Sequence, residues 1–532
     1  MLRKFDLIQA IVAVLAALSV ESAAMAQKAG GILKMYSLDS PASMSIYEEA
    51  NVAAEGPMMG VFNNLALFDQ HVKQNSLQSI VPDLASAWSW NEDATELTFK
   101  LQQGVRWHDG KPFSARDVQC TWDLILEKSS EKLRINPRKS WYRSLDSLTT
   151  NGDYEVTFHL KHPQPAFPML LAGGFAPIYP CHVPAIQMRR HPIGTGPFKF
   201  VEFKPNERIT VARNPDYWKP GRPYLDGIEY TIIRNQATAV LSFISGKVDM
   251  TFPGSLPIPL LKDVQMQIPE ADCEVTPSGG GNSNLIINRG SAPFDRLDLR
   301  RAMALSLDRK SFIDILSEGQ GEIGGVLQPP PDGLWGLPPE TLKSLPGYDP
   351  DVGRNRTEAR TIMEKLGYGP DSRLKVKVLT RDLPGARNAA IILIDQLKEV
   401  YVEGELDPVE TDTYVPKVLR KDFALGLGGQ ISGPDPDPIL DLHYGCGSRL
   451  NWDGYCNPEV DKLIEQQSME PDRERRKQLV WAIERKLAED GARPIIFYSR
   501  SATCRRPYVK NMTIMVNSPF NGWRFEDVWL DK

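Results

Sequence analysis

One loop of this 532-residue chain concentrates groups that could hold a charged ligand: Gly433-Pro434-Asp435-Pro436-Asp437-Pro438. Proline disrupts both strand ladders and helix interiors, so Asp435 and Asp437 are carried on a stiff, irregular backbone. The loop follows an apolar run at 423–427 and the pair Gly428-Gly429, and α/β sheets take ligands at such strand ends. A solvated turn, with each Asp bonding its own backbone, has the same composition, and spacing does not choose between the two. Just beyond, Cys446 and Cys456 bracket a short Gly-containing segment and are the best-placed disulfide pair. Neither belongs to the C-x-x-C spacing of zinc sites.

Recognisable catalytic chemistry is missing. No G-x-S-x-G nucleophile turn and no H-E-x-x-H helix occurs. Gly246-Lys247 lacks the upstream Gly and the following Ser or Thr of a phosphate loop. Gly279-Gly280-Gly281 leads into Asn282, Ser283 and Asn284, not into a helix start. The seven His are sparse, and His159 and His162 could share a metal only with distant help. The chain is therefore read as non-enzymatic and without a cofactor.

The elements that would position these groups are those of an α/β protein. Leu97, Phe99 and Leu101 alternate with polar residues, as do residues 154–160, and both runs predict half-buried strands. Ser114 and Asp117 have the spacing of a capping box and predict a helix to about residue 128. A second strand-rich stretch spans 196–233. Beyond it, helices are expected at 298–307, 308–316, 357–366 and 386–400, with strands at 374–380, 423–427 and 495–498. Asp472 starts a long helix in which Leu479, Val480, Ile483 and Leu487 form one apolar face.

Composition agrees with a folded protein of more than one domain. Hydrophobic residues make up 42% and charged residues 24%, with 11 Trp, 19 Phe and 16 Tyr to bury. A net charge of −5 gives no basic surface for nucleic acid. Arg3 and Lys4, the apolar run 11–18 and Ala24-Met25-Ala26 have the layout of a secretory signal peptide cleaved after Ala26. Export permits disulfides. Cys120 falls within a predicted helix and is expected to be a small buried residue, and the pairing of Cys120, Cys181, Cys273 and Cys504 is left open.

Several segments together resemble the family-5 extracellular solute-binding proteins, the peptide- and nickel-type receptors of ATP-driven importers. They are Val81-Pro82-Asp83-Leu84-Ala85, the stretch from Gly104-Val105-Arg106-Trp107-His108-Asp109-Gly110 to Lys111-Pro112-Phe113, Gly194-Thr195-Gly196-Pro197-Phe198, Asn214-Pro215-Asp216-Tyr217-Trp218, Gly246-Lys247-Val248-Asp249, and the run from Leu299 to Asp308. The resemblance implies an α/β, periplasmic-binding-protein type II-like fold, with two lobes, a hinge and an extra β-rich domain inserted in the first lobe. The limits it suggests are 27–65, 191–281 and 499–532 for the first lobe, 66–190 for the insert and 282–498 for the second lobe, with crossovers near 282–288 and 494–498.

It further implies a monomeric periplasmic receptor that captures a short peptide or similar zwitterion. The closed receptor would deliver it to an inner-membrane ABC permease with separate ATPase subunits. In dipeptide-binding relatives an Asp before a Pro-Asp step holds the ligand ammonium, and that position is Asp435. An opposed Arg takes the carboxylate; Arg381 is the closest match and Arg387 the next. Those relatives carry a Trp where this chain has Gly429, which opens the site to a larger or non-peptide ligand. A metal-complex receptor, with His443 as metal ligand, stays open, as do opines, glycosides and oligosaccharides.

Overall fold

Two long strands, Asp272–Ile287 and Ile495–Arg505, run antiparallel and cross between the lobes. They carry the hydrogen-bonded continuity of the molecule. The computed structural model describes residues 27–532 except Ala50, Ser432, Pro519 and Phe520, so the signal-peptide segment lies outside the described residues. At the first-lobe end, Leu256–Pro257 pairs with Ser501 and Ala502. At the second-lobe end, Leu425–Ile431 pairs antiparallel with the first crossover, and Leu374–Arg381 and Val402–Val409 extend the sheet in parallel. The family resemblance suggested crossovers only at 282–288 and 494–498. The pairing starts earlier, because the partner strand satisfies backbone groups that residue type alone leaves open. The glycine run causes a register shift between Pro277 and Asn282 rather than a strand end.

The first lobe holds a four-stranded sheet in the order Ile32–Ser37, Gly227–Ile232, Arg208–Arg213, Phe198–Lys204. The β-rich insert holds a second, ordered Ala85–Trp90, Glu96–Leu101, Glu155–Leu160, Leu145–Thr150. Its buried Leu97, Phe99 and Leu101 are the alternating residues expected from sequence. The helix Ala115–Ile125 lays Val118, Trp122 and Ile125 on this sheet, with the Trp122 ring 5.0 Å from Phe158. Its capping box is Ser114 and Asp117, as expected, although the helix stops at Ile125. One apolar core contains both Leu33 and Met35 of the first sheet and Phe99, Trp122 and Phe158 of the insert. The insert is thus packed into the first lobe without a separate core.

The motif residues lock this joint. His108 Nδ1 accepts from the Gly194 N–H (3.2 Å), so Nε2 carries the proton and donates to the Gly196 carbonyl at 3.0 Å. A Cβ on Gly194 would lie 1.9 Å from the Val61 carbonyl oxygen, so only glycine allows that approach. Buried Asp83 pairs with Arg524 at 2.9 Å and with Lys219 at 3.0 Å, while Tyr217 donates to Glu526 at 2.6 Å. The most recognisable stretches of the chain therefore build scaffold.

The second lobe wraps helices around its half of the long sheet, burying Leu285, Val378, Leu393, Leu425 and Ile496 together. A satellite core gathers Val480, Ile483 and Leu487 of the helix Arg473–Glu489 against Leu440, Val460 and Ile464. Among the elements without a counterpart in the sequence reading are the edge strand Val402–Val409 and the helices Thr411–Leu419 and Asp437–Tyr444.

Candidate functional site

A cavity of about 280 Å³ lies where the lobes meet. First-lobe residues supply most of its wall: Ser37, Leu38 and Asp39, residues 252–255, and Ile514, Met515 and Trp523. Thr276 and Pro277 of the crossover and Arg381 and Leu383 of the second lobe complete it. Both charged groups stand at the carboxyl ends of strands in parallel pairs, where α/β sheets expose ligand-binding groups. Asp39 follows the strand Ile32–Ser37, and Arg381 ends the strand Leu374–Arg381. Phe252 and Trp523 back the cavity with ring centroids 5.2 Å apart. Gly56 makes room for them, since a Cβ there would come within 2.7 Å of the Phe252 ring.

The Arg381 side chain makes no hydrogen bond or ion pair among the described residues; its guanidinium lies 5.9 Å from the Tyr414 ring centroid. Asp39 likewise has no ion-pair partner within 4 Å there, and its Oδ1 accepts only the Ser40 N–H, at 2.9 Å. Burial pushes the Asp39 carboxyl above its usual range, and the Ser40 N–H, the Arg381 charge, a hydrogen bond from the Thr411 side chain and the Arg234 charge draw it back. One cavity thus contains a carboxylate from one lobe and a guanidinium from the other, neither of them in an ion pair within 4 Å among the described residues.

Contacts around the rim hold the lobes together. Arg234 pairs with Glu410 at 2.9 Å. The Gln164 amide of the insert donates to Asp437 at 2.8 Å, and Gln74 donates to the Asp332 carbonyl at 2.9 Å. Arg143 meets Asp441. The cleft is closed in this structure.

Asp435 stands elsewhere. It is 3% exposed, and Arg476 takes both its oxygens, at 2.7 and 2.8 Å. Arg476 also donates to Asp437 at 3.1 Å, and its guanidinium lies 4.8 Å from the ring centroid of Trp335. Burial pushes the Asp435 carboxyl up and Arg476 pulls it down. Burial alone would lower the Arg476 pKa, but Asp435 and Asp437 hold it above its ordinary value, so the cation persists. Asp437 opens the helix Asp437–Tyr444 and accepts from Gln467, Ser468 and Gln164. The proline-stiffened loop turns inward onto Arg476, which leaves Asp435 with no free oxygen for the cleft, contrary to the ammonium-anchor expectation.

The remaining sequence-derived residues divide. Arg381 lines the cavity. Arg387 is exposed on the helix Pro384–Lys398 and pairs with Asp382, so it does not face the cleft. Gly429 is exposed on its strand, and a Cβ there would meet only the Asn282 carbonyl oxygen, at 3.3 Å. His443 is buried, and its Nδ1 accepts from Arg493 at 2.9 Å. Burial and the Arg493 charge drive its pKa far below the ordinary value. Its Nδ1 is already engaged, and among the described residues no group of three or more His, Cys, Asp or Glu could hold a metal ion. Cys446 is bonded to Cys456, and Cys273 is bonded to Cys504 across the two crossover strands. Cys120, expected as a small buried residue, is half-buried and bonded to Cys181. Its partner lies in an irregular Pro-rich stretch that gave no spacing signal.

The model of the bacterial extracellular solute-binding proteins, family 5, matches residues 79–451, more than half of the chain. This chain belongs to that family. The di/tripeptide-binding protein 1 of Pseudomonas aeruginosa (strain UCBPP-PA14) is 25% identical over 522 residues, covering 92% of each chain. The oligopeptide-binding protein AppA of Bacillus subtilis (strain 168) is 26% identical over 434 residues, covering 75% of this chain and 74% of AppA. The solved structure of Bacillus subtilis AppA in complex with a nonapeptide superposes with a TM-score of 0.83 at 23% identity, covering 95% of this chain and all of that one. The two-lobed type II periplasmic-binding-protein fold follows from this match. Among the described residues no helix is long and apolar enough to cross a membrane.

Asp39 escaped the sequence reading. The signal for it was a carboxylate just past the first strand, in Ser37-Leu38-Asp39-Ser40-Pro41, where a proline stops further pairing.

Proposed function

We propose that this protein is the periplasmic solute receptor of an ABC importer. It binds a peptide-class solute between its lobes and presents the closed form to an inner-membrane permease whose separate ATPase subunits supply the energy. The cavity shared by both lobes carries the reading, because its wall offers the unpaired guanidinium of Arg381 to a carboxylate. The peptide-binding relatives support the same class. A solute that touches both lobes binds the closed form better than the open one, and that difference drives closure. The receptor acts as a monomer after removal of residues 1–26 and turns nothing over, and the 66–190 segment serves as the insert. Native mass spectrometry of protein released gently from its periplasm tests the reading. A bound species of short-peptide mass that leaves on denaturation is expected. A bound sugar or metal complex, with no peptide, would contradict it.

A further inference from the structure

We infer that residues 325–337 of the second lobe form a strap across the hinge, which latches the closed lobes and sets how long a captured solute stays. The choice of a dipeptide as probe rests on the peptide-class reading; the strap itself does not.

Its base is fixed to the second lobe and to the hinge. The chain enters from Gly321–Glu322, which pairs with Tyr498 and Ser499 of the second crossover strand. Buried Glu484, on the helix Arg473–Glu489, accepts the N–H groups of both Leu327 (3.2 Å) and Leu337 (3.1 Å), so one carboxyl clasps the two limbs of the loop. A Cβ on Gly325 would fall 2.1 Å from that carboxyl, so glycine is required where the chain passes it. The Tyr498 hydroxyl stands 3.0 and 2.9 Å from the Gly325 and Val326 carbonyls and accepts from the Asn282 amide at 3.3 Å. Asn282 belongs to the first crossover strand, so the base is tied to both hinge strands. Trp335 donates to the Pro434 carbonyl at 3.0 Å, and Trp481 to the Trp335 carbonyl at 2.9 Å, which pins the returning limb.

Its tip reaches past the hinge. The shift in strand register between Pro277 and Asn282 lies opposite Arg500 and Tyr498. Tyr498 holds the base on one side of that irregularity, and on the other Arg500 pairs with Asp332 of the tip at 2.5 Å. Gln74 donates to the Pro331 and Asp332 carbonyls at 3.1 and 2.9 Å, and buried Gln328 donates to the Val516 carbonyl at 3.2 Å. Gln74 and Val516 sit together on the first-lobe side, where the Val516 N–H donates to the Lys73 carbonyl. Val516 follows Met515 of the cavity wall. Pro329, Pro330 and Pro331 restrict the backbone of the tip. Gly333 lets it fold back, since a Cβ there would lie 1.9 Å from the Gln328 carbonyl oxygen. A strap stiffened in this way loses little entropy when it docks. Opening of the cleft must break the bonds of Gln74 and Gln328, because donor and acceptor move with different lobes.

Stopped-flow release of the dipeptide Ala-Leu, loaded onto protein freed of solute by unfolding and refolding, decides the matter. Gln74→Glu keeps the size of the side chain and removes the donor that faces the two carbonyls. It should speed release about 5- to 30-fold while association stays within about twofold of wild type. Gln74→Glu with Gln328→Ala should speed release about 10- to 100-fold. An unchanged urea midpoint for Gln74→Glu separates a latch from a loss of stability. Glu484→Gln lies within the second lobe, yet a strap that acts as a unit makes it release about 3- to 10-fold faster, and less than that in the Gln74→Glu background. Release within twofold of wild type from folded Gln74→Glu would overturn the latch, and that variant decides alone if Glu484→Gln fails to fold. Faster release from Gln74→Glu but not from folded Glu484→Gln would overturn the clasp at the base. Wild-type protein that binds no Ala-Leu would contradict the peptide reading alone. The same release ratios are then read from loss of the co-purified mass on dilution, by native mass spectrometry, and equal rates in wild type and Gln74→Glu would overturn the latch there as well.

Discussion

Replacing Asp435 by Asn should damage the fold and spare the ligand. Asp435 gives Arg476 two charge-assisted hydrogen bonds in a site closed to water. The substitution keeps the shape, removes the charge and leaves one amide oxygen as acceptor. Breaking a buried ion pair outright costs about 3–5 kcal/mol. Arg476 keeps Asp437 at 3.1 Å and Gln467 at 3.1 Å, so part of its compensation survives. The expected loss is about 2–4 kcal/mol of unfolding free energy. Urea unfolding followed by Trp fluorescence measures it, and calorimetry with Ala-Leu should give an affinity within about twofold of wild type. Arg476→Gln alone should cost at least as much, and the double variant less than the sum, because the two side chains form one unit. Wild-type stability with binding weakened 30-fold or more would refute the reasoning, since Asp435 would then face the solute.

Other expectations concern titration and closure. Burial raises the Glu484 carboxyl from 4.5 to about 8 while it accepts the Leu327 and Leu337 N–H groups. A folded pKa raised above the unfolded one contributes stability below about pH 4.5 that is lost as pH rises through about 8. Unfolding free energy should therefore fall by some 3–5 kcal/mol between pH 4.5 and 8.5, with a flatter profile for Glu484→Gln, and a flat wild-type profile would count against the buried carboxyl. His108 has the opposite sign: burial lowers it from 6.5 to about 4, so its contribution is present above 6.5 and lost as pH falls towards 4. Its ring resonances should stay those of neutral imidazole down to about pH 5 by NMR, and a midpoint above 6 would contradict the clamp on Gly194 and Gly196. Gln164→Ala removes a bond between the lobes but touches no cavity residue. It should speed Ala-Leu release about 3- to 10-fold in stopped flow, and an unchanged rate would show that this contact does not hold the cleft shut.

Elements whose residues report their own surroundings were legible in the sequence. Phe99 and Phe158 sit in alternating runs and meet across one sheet, with ring centroids 5.6 Å apart. Ser114 and Asp117 cap their helix because the signal is local. The strand Leu374–Arg381 was readable as far as Thr380, whereas Arg381 itself was singled out by the family resemblance. Elements that depend on distant partners were not. Val402–Val409 and Thr411–Leu419 contain Pro408 and Pro416 and little apolar patterning, and the sheet and the Tyr414 contacts hold them in place. The fate of Asp435 depends on Arg476, 41 residues further on, and nothing near the loop announces that pairing. Asp39 is one carboxylate among 67 acidic residues, and only the closure of two lobes around a cavity distinguishes it.

Small-angle X-ray scattering of ligand-free protein during titration with Ala-Leu tests the central claim most directly. A solute held in the cavity lined by first-lobe residues and by Arg381 of the second lobe must draw the lobes together. The radius of gyration should fall with saturation, and the fall should be absent with N-acetyl-Ala-Leu amide, which has neither charge. A radius that stays constant while calorimetry shows the site filled would contradict binding between the lobes.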